Sequence, residues 1–287
     1  MDISDRPVSM PRAPVSVDFK LRDNLVTLIA MIDGREHEVV LDSGASGIIV
    51  DQAFARRYNL VENLDGGDVA VGGGQAQQVR PVQLASLVVG PLRFAKLSGY
   101  STTLSQLSAS AGFPVDLLVG APAFKHGVVS IDYKRHRVTF GPIGSAPRCS
   151  KPIPLEIIHD VPVVTAQLQP KAGSATVSLK LIVDLGTRHQ SVAIGGPFVR
   201  SAVGQSLIRS GTAQKVGHGI GGGVRGTIAR VAELRLGQAV VADLDVALSS
   251  EASAFEAGAV DGSLGVPFWK DAVITFNYPD RSLCIER

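Results

Sequence analysis

The most constraining feature of this sequence is an internal repeat. Four segments of the first half recur in the same order in the second half: Val39–Gly44 as Leu181–Gly186, Gly72–Gly74 as Gly221–Gly223, Val115–Phe124 as Val260–Trp269, and Ile131–Tyr133 as Phe276–Tyr278. Equivalent positions are 142 residues apart in the first pair and 145 apart in the last two. Because similar sequences adopt similar local structures, the repeat predicts two homologous lobes.

The repeat also predicts where the lobes begin and end. The stretch 141–147 lies between the two copies, and its Gly and Pro residues are typical of a connecting turn. We therefore expect a flexible N-terminal segment at 1–19, an N-terminal lobe at 20–148 and a C-terminal lobe at 149–287.

The local patterns favour β-structure. Gly occurs 31 times and Pro 16 times, and the runs between them are rich in Val, Ile, Leu and Thr. Residues 25–41, with Asp33-Gly34 near the middle, have the pattern of two strands joined by a tight turn. Helices are expected to be few and short, one following Asp51 as its cap and another near 197–203. The predicted fold class is all-β, in two lobes.

Composition and charge exclude several classes of protein. The 28 basic and 26 acidic side chains leave a net charge of +2 and are scattered, which argues against a nucleic-acid partner. No apolar run approaches the roughly 18 residues of a membrane span, and the first residues lack the apolar core of a secretory signal. The sequence as written is expected to be cytoplasmic, whereas a trimmed signal would mean a periplasmic or secreted protein.

Cys149 and Cys284 form either one bridge or two free thiols.

Asp42 and Asp184 are the candidate chemical groups. Each follows an apolar strand directly and begins an Asp-x-Gly turn, and the repeat relates one to the other. A buried carboxylate costs free energy unless it is hydrogen-bonded, shares a proton or serves chemistry. A third such triplet, Asp65-Gly66-Gly67, lies among polar residues and is interpreted as a plain loop. The duplicated pair therefore indicates a functional site.

Other motifs have simpler explanations. Residues 221–226 match the pattern G-x-G-x-x-G of dinucleotide-binding turns, but the preceding residues are polar and broken by glycine where that turn needs a buried strand. The six His residues show no metal-ligand spacing, so no metal is expected; His189, next to the second Asp loop, is the one of interest. Trp269 occupies the position equivalent to Phe124 and is expected to pack in the core.

The residues around the two Asp resemble those of a known family. Leu41-Asp42-Ser43-Gly44-Ala45-Ser46 is similar to the signature of retropepsin-like aspartic proteases, and Leu117–Gly120 to their second apolar-Gly element. The second lobe repeats both as Asp184-Leu185-Gly186-Thr187 and Ser263-Leu264-Gly265. The bilobal form of the chain is similar to pepsin-like enzymes and their bacterial relatives.

The resemblance implies a fold and an activity. It implies β-barrel-like lobes related by a pseudo-twofold axis, with Asp42 and Asp184 as catalytic residues at the floor of a peptide cleft. It further implies a flap at Gly72–Gln78, and a monomer that cleaves a peptide or protein substrate without a cofactor. The expected supporting residues are the dyad loops at Ser43, Gly44, Ala45, Leu185, Gly186 and Thr187, the flap glycines Gly72, Gly73 and Gly74, and the second apolar-Gly elements at Gly120 and Gly265.

The paired carboxylates explain such an activity chemically. Two carboxylates about 3 Å apart cannot both ionise, so they hold one proton, and one acts as base while the other acts as acid. The sequence departs from the family pattern at Leu185, where a Thr or Ser hydroxyl normally reaches the opposite loop. Arg188 also follows closely, and a cation beside Asp184 would favour its ionised form. Two hypotheses therefore stand: an aspartic endopeptidase, and a non-catalytic peptide-binding protein with a protease-derived cleft.

Overall fold

The computed structural model describes residues 8–62, 68–70, 75–251, 255 and 259–286. These residues form an all-β structure with short helices, as predicted. The first half contains the strands β1 Val8–Ser9, β2 Val15–Asp18, β3 Lys20–Arg22, β4 Leu25–Ile32, β5 Arg35–Leu41, β6 Ile48–Asp51, β7 Val61–Glu62, β8 Asp68–Ala70, β9 Gln77–Val89, β10 Leu92–Thr102, β11 Leu117–Val119, β12 Val128–Asp132 and β13 Arg137–Gly141.

The second half repeats this succession of strands. Its strands are β14 Ile153–Pro154, β15 Glu156–Ile158, β16 Val161–Gln169, β17 Val177–Val183, β18 Val192–Ile194, β19 Thr212–Gly219, β20 Gly222–Leu236, β21 Ala239–Leu248, β22 Gly262–Leu264, β23 Val273–Asn277 and β24 Ser282–Glu286.

The helices are short, as expected. They are α1 Gln52–Arg57, α2 Ser105–Ala111, α3 Gly196–Arg200 and α4 Ala202–Ser210, with 3₁₀ turns at Ala121–Ala123 and Val266–Phe268. Asp51 caps α1 by accepting hydrogen bonds from the backbone N–H groups of Ala53 and Phe54. The helix expected near 197–203 is instead two helices, because Ser201 is extended and caps α4 through the N–H of Gly204.

The predicted hairpin of β4 and β5 is confirmed. Ile32 pairs with Arg35, which leaves Asp33 and Gly34 as the turn. Both turn residues have positive φ, 47° and 83°, as a type I′ turn requires. Gly supplies this conformation without strain, and Asp tolerates it.

The two halves share one sheet topology. In the first half the strand order includes β10-β6-β11-β5-β4, and in the second β21-β18-β22-β17-β16. The short strand β11 runs parallel to β5 and antiparallel to β6, and β22 has the same relation to β17 and β18. The duplication seen in the sequence is therefore a duplication of the fold.

A six-stranded sheet joins the two halves. Its order is β14-β24-β23-β12-β13-β2, so the equivalent strands β12 and β23 pair antiparallel at the centre. Ser130 faces its own equivalent, Thr275, and the two hydroxyls are 2.8 Å apart. Because a residue pairs with its own repeat, a pseudo-twofold axis passes between these two side chains.

Residues 8–19 of the N-terminal segment include two strands. β1 pairs with β10, and β2 pairs with β13 at the edge of the joining sheet. Phe19 is buried and packs against Tyr133 and His136. Residues 8–19 are held because the alternating run Val15-Ser16-Val17 completes an edge that would otherwise be unpaired. The lobe boundaries at 148 and 149 stay a prediction.

The core contains the large side chain that the sequence assigned to it. Trp269 is 1% exposed, and its Nε1–H lies 3.3 Å from the hydroxyl oxygen of Tyr133 in the other half. This contact satisfies the indole N–H inside the core and links the halves.

Cys149 and Cys284 form a disulfide, which decides between the two alternatives left by the sequence. Their Cα atoms are 6.0 Å apart, and 135 residues separate them in the chain. The bond fastens the segment before β14 to β24, so it closes nearly the whole second half into one loop.

Reduction of this disulfide should destabilise the protein. Closing a long loop restricts the unfolded chain, and removal of such a bond typically costs about 2–5 kcal/mol of the free energy of unfolding. Thermal unfolding with and without dithiothreitol measures the effect. The double variant Cys149→Ser/Cys284→Ser should unfold at the lower temperature in both conditions, and an unchanged melting temperature of the reduced parent would contradict the assignment.

Candidate functional site

The two Asp occupy equivalent positions where a strand ends. Asp42 follows β5 and donates its backbone N–H to the carbonyl of Val119, at 3.0 Å. Asp184 follows β17 and donates in the same way to Leu264, at 2.9 Å. The neighbouring strands β11 and β22 therefore hold both residues at the C-terminal ends of the interior strands β5 and β17.

The Asp-x-Gly turns have the same hydrogen bonds in both halves. The N–H of Gly44 donates to Oδ1 of Asp42 at 2.9 Å, and that of Gly186 to Oδ1 of Asp184 at 2.7 Å. In the next step of each turn, Ala45 donates its N–H to the carbonyl of Asp42, and Thr187 to that of Asp184. One oxygen of each carboxyl group is thus fixed by its own loop.

The two loops meet face to face. A Cβ placed on Gly44 would lie 2.4 Å from Oδ1 of Asp184, and one on Gly186 would lie 2.9 Å from both carboxyl oxygens of Asp42. Each carboxyl group therefore lies against the backbone of the opposite Gly, where a side chain would exclude it. Glycine is needed here for close approach rather than for a special φ.

The second apolar-Gly elements support the loops from below. A Cβ on Gly120 would lie 2.2 Å from the carbonyl oxygen of Ala45, and one on Gly265 would lie 2.2 Å from that of Gln190. The N–H groups that follow, of Ala121 and Val266, donate to the carbonyls of the Asp loops. The spacing found in the sequence thus reflects direct contact between the two elements.

The pKa of Asp42 is raised well above its usual value. Burial is the largest cause, and the charge of Asp184 is the next, with a hydrogen bond between the two carboxyl groups acting in the same direction. Hydrogen bonds from the N–H groups of Gly44 and Gly186 oppose the shift. These causes together favour the protonated form of Asp42.

The brace between the loops is one-sided, as the sequence indicated. The hydroxyl of Ser43 donates to the carbonyl of Val183 at 2.6 Å and accepts the N–H of Leu185 at 3.1 Å. Leu185 offers no hydroxyl in return; it is fully buried in the main core. One half of the symmetric contact is polar and the other is hydrophobic.

A second asymmetry lies on the outer side of the pair. The Thr187 hydroxyl donates to Oδ2 of Asp184 at 2.7 Å, and it is 2.9 Å from the hydroxyl of Ser263. Because Thr187 uses its only O–H on the carboxylate, Ser263 must donate to Thr187. The equivalent positions in the first half are Ala45 and Leu118, which have no hydroxyl. A side-chain hydroxyl therefore donates to the carboxyl group of Asp184, and the equivalent position beside Asp42 offers none.

Both Asp line a cavity of about 490 Å³ between the halves. Its wall in the first half is apolar and includes Leu25, Val40 and Leu118. In the second half the wall includes Val161, Ile182 and Val260. A chain lying across the pair would have an apolar surface on either side.

A hairpin of the second half covers this cavity. The end of β19, the start of β20 and the turn at Ile220 and Gly221 reach across it, and Ile220 packs on the apolar wall of the first half. The N–H of Gln75 donates to the carbonyl of Gly221 at 3.1 Å, so this hairpin touches the end of the loop between β8 and β9. The expected flap glycines Gly72, Gly73 and Gly74 lie outside the described residues. Gly221–Gly223 repeat these glycines in the sequence, but the repeat alone did not predict a second covering hairpin.

Arg188 turns away from the Asp pair. Its guanidinium forms an ion pair with Asp23 and donates to the hydroxyl of Ser110, and Asp23 also binds Nε2 of His189 at 2.8 Å. Arg188 is 3% exposed, and burial lowers the pKa of its guanidinium while Asp23 opposes this. The cation that the sequence placed near Asp184 is thus engaged mainly with the first half.

The glycine motif of the second half lies in a strand. Residues 222–226 belong to the strand β20, so the glycine pattern there opens no helix and is no dinucleotide-binding turn. Within the described ranges, no group of His, Cys, Asp and Glu is arranged to hold a metal ion. Of the helices described, none is long and apolar enough to cross a membrane.

Part of the chain, including Asp42, matches a known protein family. Residues 28–125 match the family described as gag-polyprotein putative aspartyl protease. The chain resembles the retropepsin-like aspartyl proteases. A solved structure of a retropepsin-like aspartic protease from Rickettsia conorii is also similar, with 17% sequence identity and a TM-score of 0.34, over 48% of this chain and 97% of that one. No curated protein matches the chain.

The Ser43 brace gives a test of how the loops are held. Ser43→Ala should leave the buried N–H of Leu185 and the carbonyl of Val183 without their shared partner, at a cost of about 1–3 kcal/mol in the free energy of unfolding. Chemical denaturation measures this loss. Ser43→Thr keeps the hydroxyl and is the matched control; equal stability of Ser43→Ala and the parent would mean that the brace contributes nothing.

Proposed function

We propose that this protein is an aspartic endopeptidase in which Asp42 and Asp184 form the catalytic dyad. The family match and the fold support a protease function in general. The observation that carries the finer proposal is the contact of the two Asp loops, each carboxyl group lying against the opposite glycine. A peptide or protein is the substrate that follows, and the chemistry needs no cofactor.

The asymmetry of the site supports distinct roles for the two Asp. Asp42, whose pKa is raised, carries the proton and is the acid; Asp184, hydrogen-bonded by Thr187, carries the charge and is the base. A water between them gives a proton to Asp184 as its oxygen attacks the peptide carbonyl, while Asp42 protonates the carbonyl oxygen. The leaving nitrogen then takes the proton from Asp184, and Asp42 recovers its own as the C–N bond breaks.

The cavity walls support an extended peptide with apolar residues beside the cleaved bond. Val40 and Ile182 are equivalent by the repeat and line the cavity on opposite sides of the dyad. The covering hairpin would have to lift for a chain to enter, because Ile220 packs on the wall of the first half. Lid opening of this kind often limits turnover.

The second candidate function is a peptide-binding protein without catalysis. Leu185 favours it, because the polar brace on one side of the dyad is missing. The carboxyl group of Asp42, whose pKa is raised mainly by burial, argues for chemistry instead. A binding cleft gains nothing from a carboxyl pair that is costly to bury.

Substitution of either Asp should abolish cleavage. In Asp42→Asn and Asp184→Asn the amide can neither take a proton from water nor return one, so hydrolysis of an unfolded protein or quenched-fluorescence peptide should fall at least about a thousandfold. Asp33→Asn makes the same change in the β4–β5 turn, outside the cavity, and should leave activity unchanged.

The parent should show a bell-shaped pH profile with an acidic optimum, because the dyad must hold one proton. If the pure parent cleaves nothing between about pH 3 and 7 and Asp42→Asn still binds peptide as tightly, the binding function replaces the protease.

Thr187 should set the acid side of this profile. Removing its hydroxyl in Thr187→Val takes a hydrogen bond from the charged form of the dyad, so the acid limb should move to higher pH, by up to about one unit. Thr187→Ser retains the hydroxyl and should keep the parent profile. An acid limb at the same pH in Thr187→Val and the parent would show that the proton is placed by another interaction.

A further inference from the structure

The charges lining the cavity are unevenly distributed. Apart from the two Asp, each ionisable side chain described in the lining is basic or a histidine: His159, Arg188, His189 and His218. The wall formed by the first half is apolar apart from Asp42 and Ser46. A ligand that fills the cavity therefore meets a positive surface on the side of the second half.

Three of these side chains gather at one end. Burial lowers the pKa of His218, and the charges of Lys215, Arg188 and His189 lower it further, in that order. Arg188 and His189 follow Asp184 by four and five residues, and His218 lies on the covering hairpin. This group, Arg188, His189 and His218, is called the basic corner below.

The basic corner has too little negative charge around it. Asp23 binds both Arg188 and His189 and is their described acidic partner. Helix α2, which packs against β19, has the sequence Ser-Gln-Leu-Ser-Ala-Ser-Ala and carries no charge. On β20, the residue paired with His218 is Gly223, and the one paired with Lys215 is Arg225. When His218 is protonated, it and Arg188 together outnumber the single carboxylate of Asp23.

We propose that the basic corner is a subsite for a carboxylate of the peptide substrate, supplied by an Asp or Glu side chain. This rests on the proposed protease function. A partly buried cation without a full complement of anions is costly, and a ligand carboxylate that accepts hydrogen bonds from His218 and its neighbours relieves that cost. The corner lies beside the dyad rather than on it, so the acidic residue would stand a few positions from the cleaved bond. A C-terminal carboxylate has the same chemistry and is the alternative source.

The experiment compares peptides that differ in one charge. Each quenched-fluorescence peptide has an apolar residue on both sides of the cleavable bond, with Glu or Gln placed at successive positions on either side. At about pH 5 the parent should cleave one Glu peptide roughly tenfold better in kcat/KM than its Gln partner. Peptides ending in a free acid or an amide separate the C-terminal source; a preference that follows the terminus instead of Glu would overturn the side-chain assignment.

Substitution of the corner should remove the preference. In His218→Gln the ratio of kcat/KM for the Glu peptide to that for the Gln peptide should fall toward one. His159→Gln, which changes a cavity histidine outside the corner, should keep the parent ratio. The parent ratio should also decrease as pH rises toward neutrality, because His218, with its lowered pKa, loses its charge there. A ratio near one in the parent at every position, or an unchanged ratio in His218→Gln, would overturn the subsite.

Binding to the inactive Asp42→Asn variant separates this proposal from the protease proposal. If the parent cleaves neither peptide but the variant binds the Glu peptide more tightly, the subsite stands and the protease function fails. If the parent cleaves Glu and Gln peptides equally and the variant binds them equally, the protease function stands and the subsite fails.

Discussion

The contact between the two Asp loops is the constraint on which the rest of the structure depends. Each carboxyl group lies so close to the glycine of the opposite loop that no side chain fits between them. Burial raises the pKa of Asp42 most, and the charge of the nearby Asp184 raises it further. The sheet beneath each loop, the glycines Gly120 and Gly265, and the Ser43 brace all hold this one contact in place. A small displacement of either half would separate the two carboxyl groups.

Duplication gives the site its symmetry, and a few substitutions give it direction. Equivalent strands pair about the axis between Ser130 and Thr275, and the backbone hydrogen bonds of the two Asp loops match one for one. On this symmetric frame, the second half adds a hydroxyl chain from Ser263 through Thr187 to Asp184, whereas the first half has Ala45 and Leu118. A pair of identical carboxyl groups would be equally ready to ionise. Side chains of different polarity make the surroundings of the two carboxyl groups unequal.

The interface is also fastened at its margins, where the polar brace is incomplete. Leu185 gives a hydrophobic contact in place of a hydroxyl, but Arg188 in the same loop pairs with Asp23 in the first half, and Asn24 donates to the carbonyl of Arg188 at 2.8 Å. The ion pair constrains geometry, because the buried guanidinium of Arg188 would lose its acidic partner without Asp23. The loop that carries Asp184 is therefore held from both sides.

The sequence by itself determined the features that depend on local patterns and on repetition. Asp33-Gly34 predicted its hairpin because only a few residues tolerate the turn, and the repeat predicted that Asp42 and Asp184 would have equivalent surroundings. The tertiary structure alone decided contacts between residues that are far apart in the chain and have no repeat to point to them. Ser263 lies 76 residues from Thr187, and Arg188 lies 165 from Asp23, so nothing in their neighbourhoods predicts the pairing. The covering hairpin and the strand pairing of residues 15–18 were decided in the same way, because each depends on how the chain packs around a surface or an open sheet edge. The pairing of the two cysteines likewise depends on residues 135 apart in the chain.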